Sequence, residues 1–191
     1  LSELLRKEWS PVPPVELSAS ALREEEMNRL YELRAQLLDW TVETGFLGFF
    51  DENAGRRYIY TRRLEVFEEV LPDLRGKRVL EIGCASGIVA ALLAPSCQEC
   101  IGIDVTETAV QFARQLHREL GIFNSRFFVA DAHALPFPDR RFDVLVSTET
   151  FEHLLHPTKA LEEFHRVLVP GGSFTLTTTT ALTPSDLAVK L

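Results

Sequence analysis

The chain has 191 residues and a formal net charge of −8, with 46% hydrophobic and 25% charged residues. This composition suffices for one main folded domain, and the acidic balance disfavours nucleic-acid binding, which draws on clustered Lys and Arg. No apolar run approaches the roughly 20 residues of a membrane span, and the amino terminus lacks the apolar part of a secretory signal. We therefore expect a cytoplasmic protein that binds a small molecule.

The amino-terminal part of the chain predicts an irregular segment followed by helices. Residues 1–20 are rich in proline, and residues 21–40 have leucines at helical spacing after a glutamate-rich first turn. Residues 58–72 repeat the helical period until a proline stops it. We expect residues 1–72 to form a cap and residues 73–191 to form the core domain.

From residue 78 onward, short strand-like runs alternate with helical ones. Five strands are predicted at RVLEI, CIGIDV, RFFVA, FDVLVS and SFTLTTT. Strands that alternate with helices imply right-handed crossovers and a doubly wound, mostly parallel α/β sheet. In such a sheet, ligands bind beyond the carboxyl ends of the strands. The final segment PSDLAVKL (184–191) has a helical pattern.

Distinctive residues follow the first four predicted strands. EIGCASG (81–87) combines an acid with glycines and small residues, which leaves room for a ligand against the backbone. Asp104 lies about twenty residues beyond this loop, where a carboxylate can accept hydrogen bonds from both hydroxyls of a ribose. Asp131 follows the third strand, and STETFEH (147–153) follows the fourth. This pattern predicts a cofactor that contains adenosine.

The cysteines give little support to a metal or redox site. Cys97 and Cys100 form CQEC, and Cys84 lies in the glycine loop. A zinc site would need two further ligands at matching spacing, and the sequence has no second cysteine pair. We interpret the pair as buried thiols, with redox chemistry as the alternative.

Four segments resemble, in order and spacing, the motifs of class I S-adenosylmethionine-dependent methyltransferases, especially the small-molecule, ubiquinone-pathway-like branch. They are VLEIGCASG, IGIDVTETAV, FVADAHALPFPDRRFDVLVSTETFEHL and RVLVPGGSFTL, and the resemblance covers residues 78–180. The resemblance implies a Rossmann-like fold, S-adenosylmethionine as cofactor with S-adenosylhomocysteine as product, and a small-molecule methyl acceptor. It departs from the family pattern at Ala85, where a third glycine is common.

The family's sheet continues beyond the fifth strand through two more strands. We therefore expect the C-terminal strands to be missing here. An open edge after the fifth strand would invite a second copy or a partner chain.

The resemblance also implies the residues of the cofactor site. Glu81 would help to orient the ammonium of the methionine part, and Asp104 would bind the ribose hydroxyls. Asp131 would accept a hydrogen bond from the adenine amino group, with Ala132 and His133 flanking the ring. The full predicted set of cofactor-binding residues is Glu81, Gly83, Cys84, Ala85, Ser86, Gly87, Asp104, Val105, Asp131, Ala132, His133 and Thr148.

Two other functions stay open at this point. A nicotinamide-dependent oxidoreductase would need G-x-G-x-x-G, which Ala85 and Ile88 interrupt, and Glu81 would sit unfavourably beside a pyrophosphate. S-adenosylmethionine carries no phosphate, so an acid beside its loop is acceptable. The second alternative is a non-catalytic module that binds a cofactor or docks a partner.

The segment after the fourth strand is where we place the chemistry. Alignment of the acceptor carries much of the acceleration in methyl transfer, and a base is needed only if the acceptor must lose a proton. A helical turn would place Glu149, Glu152 and His153 on one face. We predict His153 as the general base with Glu149 beside it, which favours a hydroxyl acceptor. His117 and His165 are predicted to be surface or structural residues.

A divalent metal is the alternative reading of the same segment. Glu149-x-x-Glu152-His153 resembles the acid, acid, histidine ligands of some ubiquinone-pathway O-methyltransferases and small-RNA methyltransferases. A metal there would lower the pKa of a bound hydroxyl. No metal is expected, because many relatives with a similar Glu-His pair use none.

Overall fold

The computed structural model describes residues 66, 67, 69–180 and 183–190 of the chain. Residues 66, 67, 69 and 70 are helical, as expected near the end of the second predicted helix. The cap predicted for residues 1–72 otherwise lies outside the described residues and stays a prediction.

The described chain alternates strands with helices. The strands are β1 (Arg78–Ile82), β2 (Glu99–Asp104), β3 (Ser125–Val129), β4 (Phe142–Thr148), β5 (Leu168–Thr180) and β6 (Thr183–Lys190). The helices are α1 (Ile88–Leu93), α2 (Glu107–Glu119) and α3 (Pro157–Val167), and 3-10 turns follow α1 at Ala94–Ser96 and β4 at Phe151–His153. The five strands predicted from the sequence are all present.

The sheet has the doubly wound topology that the alternation predicts. Its strand order is β3-β2-β1-β4-β5-β6, in which β1 to β5 are parallel and β6 is antiparallel to β5. The chain runs outward from β1 in one direction and from β4 in the other. The loops that follow β1 and β4 therefore diverge and open a crevice at the carboxyl edge of the sheet.

The carboxyl end of the chain differs from the sequence prediction. The segment expected to be helical forms β6, in which Val189 lies opposite Leu176 and Leu187 opposite Thr178. A helix of eight residues is marginal by itself, whereas the free edge of β5 supplies a ladder of backbone partners. The expectation of missing strands is therefore wrong for the first of them, and β6 occupies the edge at which a partner chain was expected.

Apolar side chains on the two faces of the sheet form two core clusters. On one face, Val79, Val144 and Phe127 pack with residues of α1 and α2. On the other face, Leu80 and Leu145 pack with residues of α3. Strands buried on both faces read as continuous apolar runs, which is why RVLEI and FDVLVS were recognisable in the sequence.

His117 is a buried polar link between three elements. Its side chain lies on α2, its Nε2 is 2.8 Å from the carbonyl oxygen of Gly87, and its Nδ1 is 2.6 Å from Ser125 Oγ. Because a carbonyl only accepts, Nε2 carries the proton and Nδ1 accepts from the serine hydroxyl. Burial lowers the pKa of His117 to about 4. The neutral ring thus joins the glycine loop, α2 and β3, which agrees with its predicted structural role.

We expect the free energy of unfolding to decrease as the pH falls from about 6.5 to about 4. The unfolded chain binds a proton at His117 near pH 6.5, whereas the folded chain binds it only near 4, so acid favours the unfolded state. The loss over this interval should be on the order of 3 kcal/mol, as measured by urea unfolding across it.

The control is His117→Gln, whose amide reaches the Nε2 position and does not titrate. This variant should be less stable than the parent at neutral pH but should lose less stability on acidification. Other groups titrate in both proteins, so the difference between the two pH profiles isolates the ring. Parallel profiles would rule out His117 as the source of the acid sensitivity.

Candidate functional site

The glycine loop after β1 is shaped by packing within the protein. Gly83 and Gly87 have φ of +72° and +80°. A Cβ on Gly83 would collide with the side chain of Thr150, and one on Gly87 would lie 2.8 Å from the Cβ of Ala113. Neither position accepts a side chain, so the absence of bulk noted in the sequence is needed by the fold itself.

Ala85 lies in the same loop at a backbone angle that favours glycine. Its φ is +43°, in the left-handed region that L-residues with a Cβ rarely adopt. Its N–H donates to Asp104 Oδ2 over 3.0 Å, which helps to hold the loop in this conformation. The departure from the family's third glycine is therefore accommodated by strain at one residue.

Asp104 connects the end of β2 with the glycine loop. Oδ2 accepts from the Ala85 N–H, and Oδ1 accepts from the Thr106 N–H over 2.9 Å. Each carboxylate oxygen can accept a further hydrogen bond, so the group keeps capacity for two hydroxyl donors. Val105 follows it with 69% of its surface exposed. A carboxylate beside an exposed apolar side chain suits a nucleoside, which has hydroxyls on its sugar and an apolar face on its base.

Glu81 is a buried carboxyl that the protein satisfies only in part. Its residue is 1% exposed, it accepts a hydrogen bond from the Ala90 N–H of α1, and its Oε2 has no hydrogen-bond partner in the described structure. Burial raises the pKa of Glu81 well above its usual range, and the charge of Asp104 raises it further. A cation placed at this end of the crevice would stabilise the ionised form.

The remaining residues of the glycine loop hold it in place through their backbone groups. The side chains of Cys84 and Ser86 are buried. The N–H groups of Gly83 and Cys84 both donate to the carbonyl of Ile103 over 2.8 Å, which ties the loop to β2.

Asp131 and His133 form a compact unit in the loop after β3. Asp131 Oδ1 accepts from the His133 N–H over 2.9 Å and lies 2.6 Å from His133 Nδ1. These backbone and side-chain hydrogen bonds lower the pKa of Asp131. Ala132 between them is buried, whereas Asp131 itself stays largely exposed. The predicted adenine-binding carboxylate is therefore ionised and reachable.

Side chains of helix α3 bind backbone groups of the same loop. Leu135 donates its N–H to Glu163 Oε2 over 2.7 Å, and Arg166 donates to the carbonyls of Leu135 and Phe137 over 3.0 and 2.8 Å. Glu163 and Arg166 are also paired with each other at 2.7 Å. Sequence reasoning missed this pair, because nothing in a helical pattern shows which loop a charged side chain will meet.

The segment after β4 corrects one prediction. Glu149 has a φ of +48° and donates its N–H to the Thr177 carbonyl over 3.0 Å, so it remains beside the sheet. The 3-10 turn begins only at Phe151. Glu149, Glu152 and His153 therefore do not share a helical face, because pairing with β5 continues past the end of β4. Thr148 is the last residue of that strand.

Glu152 and His153 occupy different environments. Glu152 Oε2 accepts from Thr178 Oγ1 over 3.0 Å, which directs it to β5. His153 is exposed. Within the residues that the structure describes, no group of three His, Cys, Asp or Glu side chains is arranged to hold a metal ion. The three cysteines are free and buried.

The described part of the chain also contains no helix that is long and apolar enough to cross a membrane.

Comparison with known proteins identifies the family. A family model described as a methyltransferase domain matches residues 80–176, slightly more than half of the 191 residues. The chain belongs to this methyltransferase family. Its motif order, fold and relatives are those of the class I S-adenosylmethionine-dependent methyltransferases. Family membership implies S-adenosylmethionine as the cofactor.

Individual relatives of this methyltransferase-family chain cover it only in part. It is 40% identical over 99 residues to the uncharacterized methyltransferase YcgJ of Bacillus subtilis, covering 52% of this chain and 39% of the relative. It is 37% identical over 107 residues to a fatty-acid O-methyltransferase of Mycolicibacterium smegmatis, covering 55% and 38%. The chain thus spans less than half the length of these curated relatives.

A solved structure extends the likeness over most of the chain. The crystal structure of the [4+2]-cyclase SpnF has a TM-score of 0.63 and 25% identity, and the match covers 91% of this chain and 65% of that one. The methyltransferase fold of this chain is therefore shared with a protein that is named for a different reaction.

We expect Ala85→Gly to stabilise the fold by about 0.5–1 kcal/mol. Glycine removes the Cβ strain at positive φ, which outweighs the greater freedom that it gives the unfolded chain. The free energy of unfolding from urea titration measures the change. Ala109→Gly, inside helix α2, is the matched control and should destabilise by about 1 kcal/mol. Destabilisation by both variants would contradict the inferred strain at Ala85.

Proposed function

We propose that this chain forms the cofactor-binding part of an S-adenosylmethionine-dependent methyltransferase that methylates an oxygen of a small molecule. The observation that carries the proposal is a series of carboxylates at or near the carboxyl ends of three adjacent strands: Glu81 in β1, Asp104 at the end of β2 and Asp131 after β3. Acids at every position suit a cofactor that has hydroxyl, amino and cationic groups but no phosphate.

Each carboxylate has a distinct role in this proposal. The unpartnered Oε2 of Glu81 accepts from the ammonium of the methionine part, and Asp104 accepts from the ribose hydroxyls. Val105 lies against the adenine, and Asp131 accepts from its amino group. Thr148 at the end of β4 lies near the methionine part. The backbone of Gly83 to Gly87 passes beneath it, because their side chains are absent, small or buried.

S-adenosylmethionine supplies an activated methyl group on a sulfonium, which leaves as a neutral thioether. The chain therefore has to align the acceptor and to take its proton. His153 is exposed in the 3-10 turn that follows β4, and we propose it as the base for a hydroxyl acceptor. Glu149, held beside the sheet, is proposed as a neighbouring group of the acceptor site. The name of the fatty-acid O-methyltransferase relative supports oxygen as the acceptor atom.

A second candidate is a domain that binds the cofactor without transferring a methyl group. The likeness to SpnF favours it, because that protein is named a [4+2]-cyclase. A nicotinamide oxidoreductase has no comparable support, since the buried Glu81 would be next to a pyrophosphate.

The proposal predicts that the chain binds S-adenosylhomocysteine in calorimetric titration and does not bind NAD. Asp104→Asn should weaken that binding at least tenfold, because a charge-assisted acceptor of the ribose hydroxyls is lost. The amide keeps an oxygen that can accept from the Ala85 N–H, so the loop is disturbed less than it would be by alanine.

Glu107→Gln is the matched control for Asp104→Asn. It removes one negative charge from an exposed residue at the start of α2 and should leave the dissociation constant within about twofold. Equal affinity of parent and Asp104→Asn would refute the ribose assignment. Binding of NAD in place of S-adenosylhomocysteine would refute the proposed function.

We expect His153→Ala to reduce turnover about a hundredfold while cofactor affinity stays unchanged, because the base acts on the acceptor and not on the cofactor. The measurement is the initial rate of methylation of a phenol found by acceptor screening, together with the dissociation constant of S-adenosylhomocysteine. His165→Ala removes an exposed histidine of α3 and should leave both values unaltered. Full turnover in His153→Ala would exclude the ring as base.

A further inference from the structure

His133 bridges two loops at the carboxyl edge of the sheet. Its Nδ1 is 2.6 Å from Asp131 Oδ1, in the loop after β3. Its Nε2 is 3.2 Å from the backbone nitrogen of His156, the residue that caps the amino terminus of α3. The two histidine rings also meet edge to face, with 5.8 Å between their centroids. The side chain of His133 is only 15% exposed, although Asp131 is 59% exposed.

The backbone partner determines where the proton of the ring lies. A backbone N–H can only donate, so Nε2 of His133 accepts from His156. In a neutral ring the other nitrogen then carries the hydrogen, and Nδ1 donates to Asp131 Oδ1. The ring is thus a donor toward the loop after β3 and an acceptor toward α3. Both of its nitrogens are used within the protein, which leaves neither for hydrogen bonding to a ligand.

This arrangement makes the two oxygens of Asp131 unequal. Oδ1 receives hydrogen bonds from the N–H and from the ring of His133. Oδ2 accepts none from the described part of the chain. The backbone bond alone would still allow the carboxylate to rotate, whereas the second donor restricts this rotation. The free oxygen is therefore held in one direction.

We propose that His133 is a positioning residue of the cofactor site, which holds Asp131 so that its Oδ2 accepts from the exocyclic amine of adenine. The same ring joins the purine-binding loop to the amino terminus of α3 and hence to the segment that carries His153. The inference rests on the proposed function, since it needs adenine at Asp131. It assigns the histidine an indirect role in place of direct contact with the ring of the cofactor.

Other contacts also join the loop that contains His133 to helix α3. The far side of the loop is held by Glu163 and Arg166, so α3 contacts the loop at two separated places. The positive charge of Lys159, also on α3, acts on Asp131 and favours its ionised form. A loop fixed at both places presents Asp131 in one position relative to the sheet.

Two substitutions separate the two hydrogen bonds of the ring. In His133→Asn the side-chain amide can occupy the Nδ1 position and donate to Asp131, but it is too short to reach the His156 N–H. In His133→Gln the amide oxygen can occupy the Nε2 position and accept from His156, but no donor remains at the Nδ1 position. Each variant therefore serves as the control for the other.

The first measurement is the preference for adenine, taken as the ratio of dissociation constants for S-inosylhomocysteine and S-adenosylhomocysteine. The inosine compound has a carbonyl oxygen in place of the exocyclic amine and therefore offers Asp131 no donor at that position. We expect the parent to prefer adenine, His133→Asn to keep that preference within about twofold, and His133→Gln to lose about three- to tenfold of it. The second measurement is hydrogen exchange of the His156 amide, which should accelerate in His133→Asn and stay slow in His133→Gln.

The outcomes distinguish this inference from the function on which it rests. If the parent binds S-adenosylhomocysteine and both variants keep its full preference for adenine, the positioning role is overturned while the cofactor assignment stands. If the parent binds neither compound, the proposed function fails and the inference fails with it. Equal exchange of the His156 amide in parent and both variants would overturn the link to α3. A melting curve for each variant verifies that it is folded.

Discussion

The hydrogen bond from the Ala85 N–H to the carboxylate of Asp104 is the constraint on which the site depends. It holds a residue with unfavourable φ in place and fixes the distance between the ends of β1 and β2. Around it, the Thr150 side chain fills the space beside Gly83, and Ala113 and His117 fill the space beside Gly87. The loop is therefore shaped from three directions before any ligand arrives, which reduces the ordering cost of binding.

The hydrogen bond between Ala85 and Asp104 lies beside a second acid, Glu81, so two carboxyl groups are close together. Asp104 stays partly exposed, whereas Glu81 is enclosed beneath α1, and its pKa is raised by burial and by the neighbouring charge. An anionic phosphate would add to this repulsion, whereas a cationic group would relieve it. The electrostatics of the crevice thus select against dinucleotides for the same reason that they suit an amino-acid derivative of adenosine.

Helix α3 and its amino terminus support the loop that follows β3. Glu163 and Arg166 hold the loop after β3 from one side, and the amino terminus of the helix reaches His133 on the other. The loop with Asp131 and the segment with His153 therefore share one support. Movement of α3 would therefore displace both segments together.

The sequence by itself determined the alternation of strands and helices, because buried parallel strands and amphipathic helices each have a local period that no neighbour needs to supply. It also placed Glu81, Asp104 and Asp131 near one another, since residues at or just after the carboxyl ends of parallel strands lie along one edge of the sheet. Local pattern was insufficient for the last strand, where the edge of β5 decided between helix and strand for residues 183–190. It was insufficient again at Glu149, where pairing with Thr177 replaced the expected helical turn.

Only the tertiary structure decided which side chains meet across the crevice. That Gly83 faces Thr150, that His117 binds the Gly87 carbonyl, and that His133 joins Asp131 to α3 depend on contacts between segments far apart in the chain. A histidine in a sequence has two nitrogens without assigned partners, and the fold alone supplies them. The chemistry available at each strand end was thus readable from the residues, whereas its orientation came from packing.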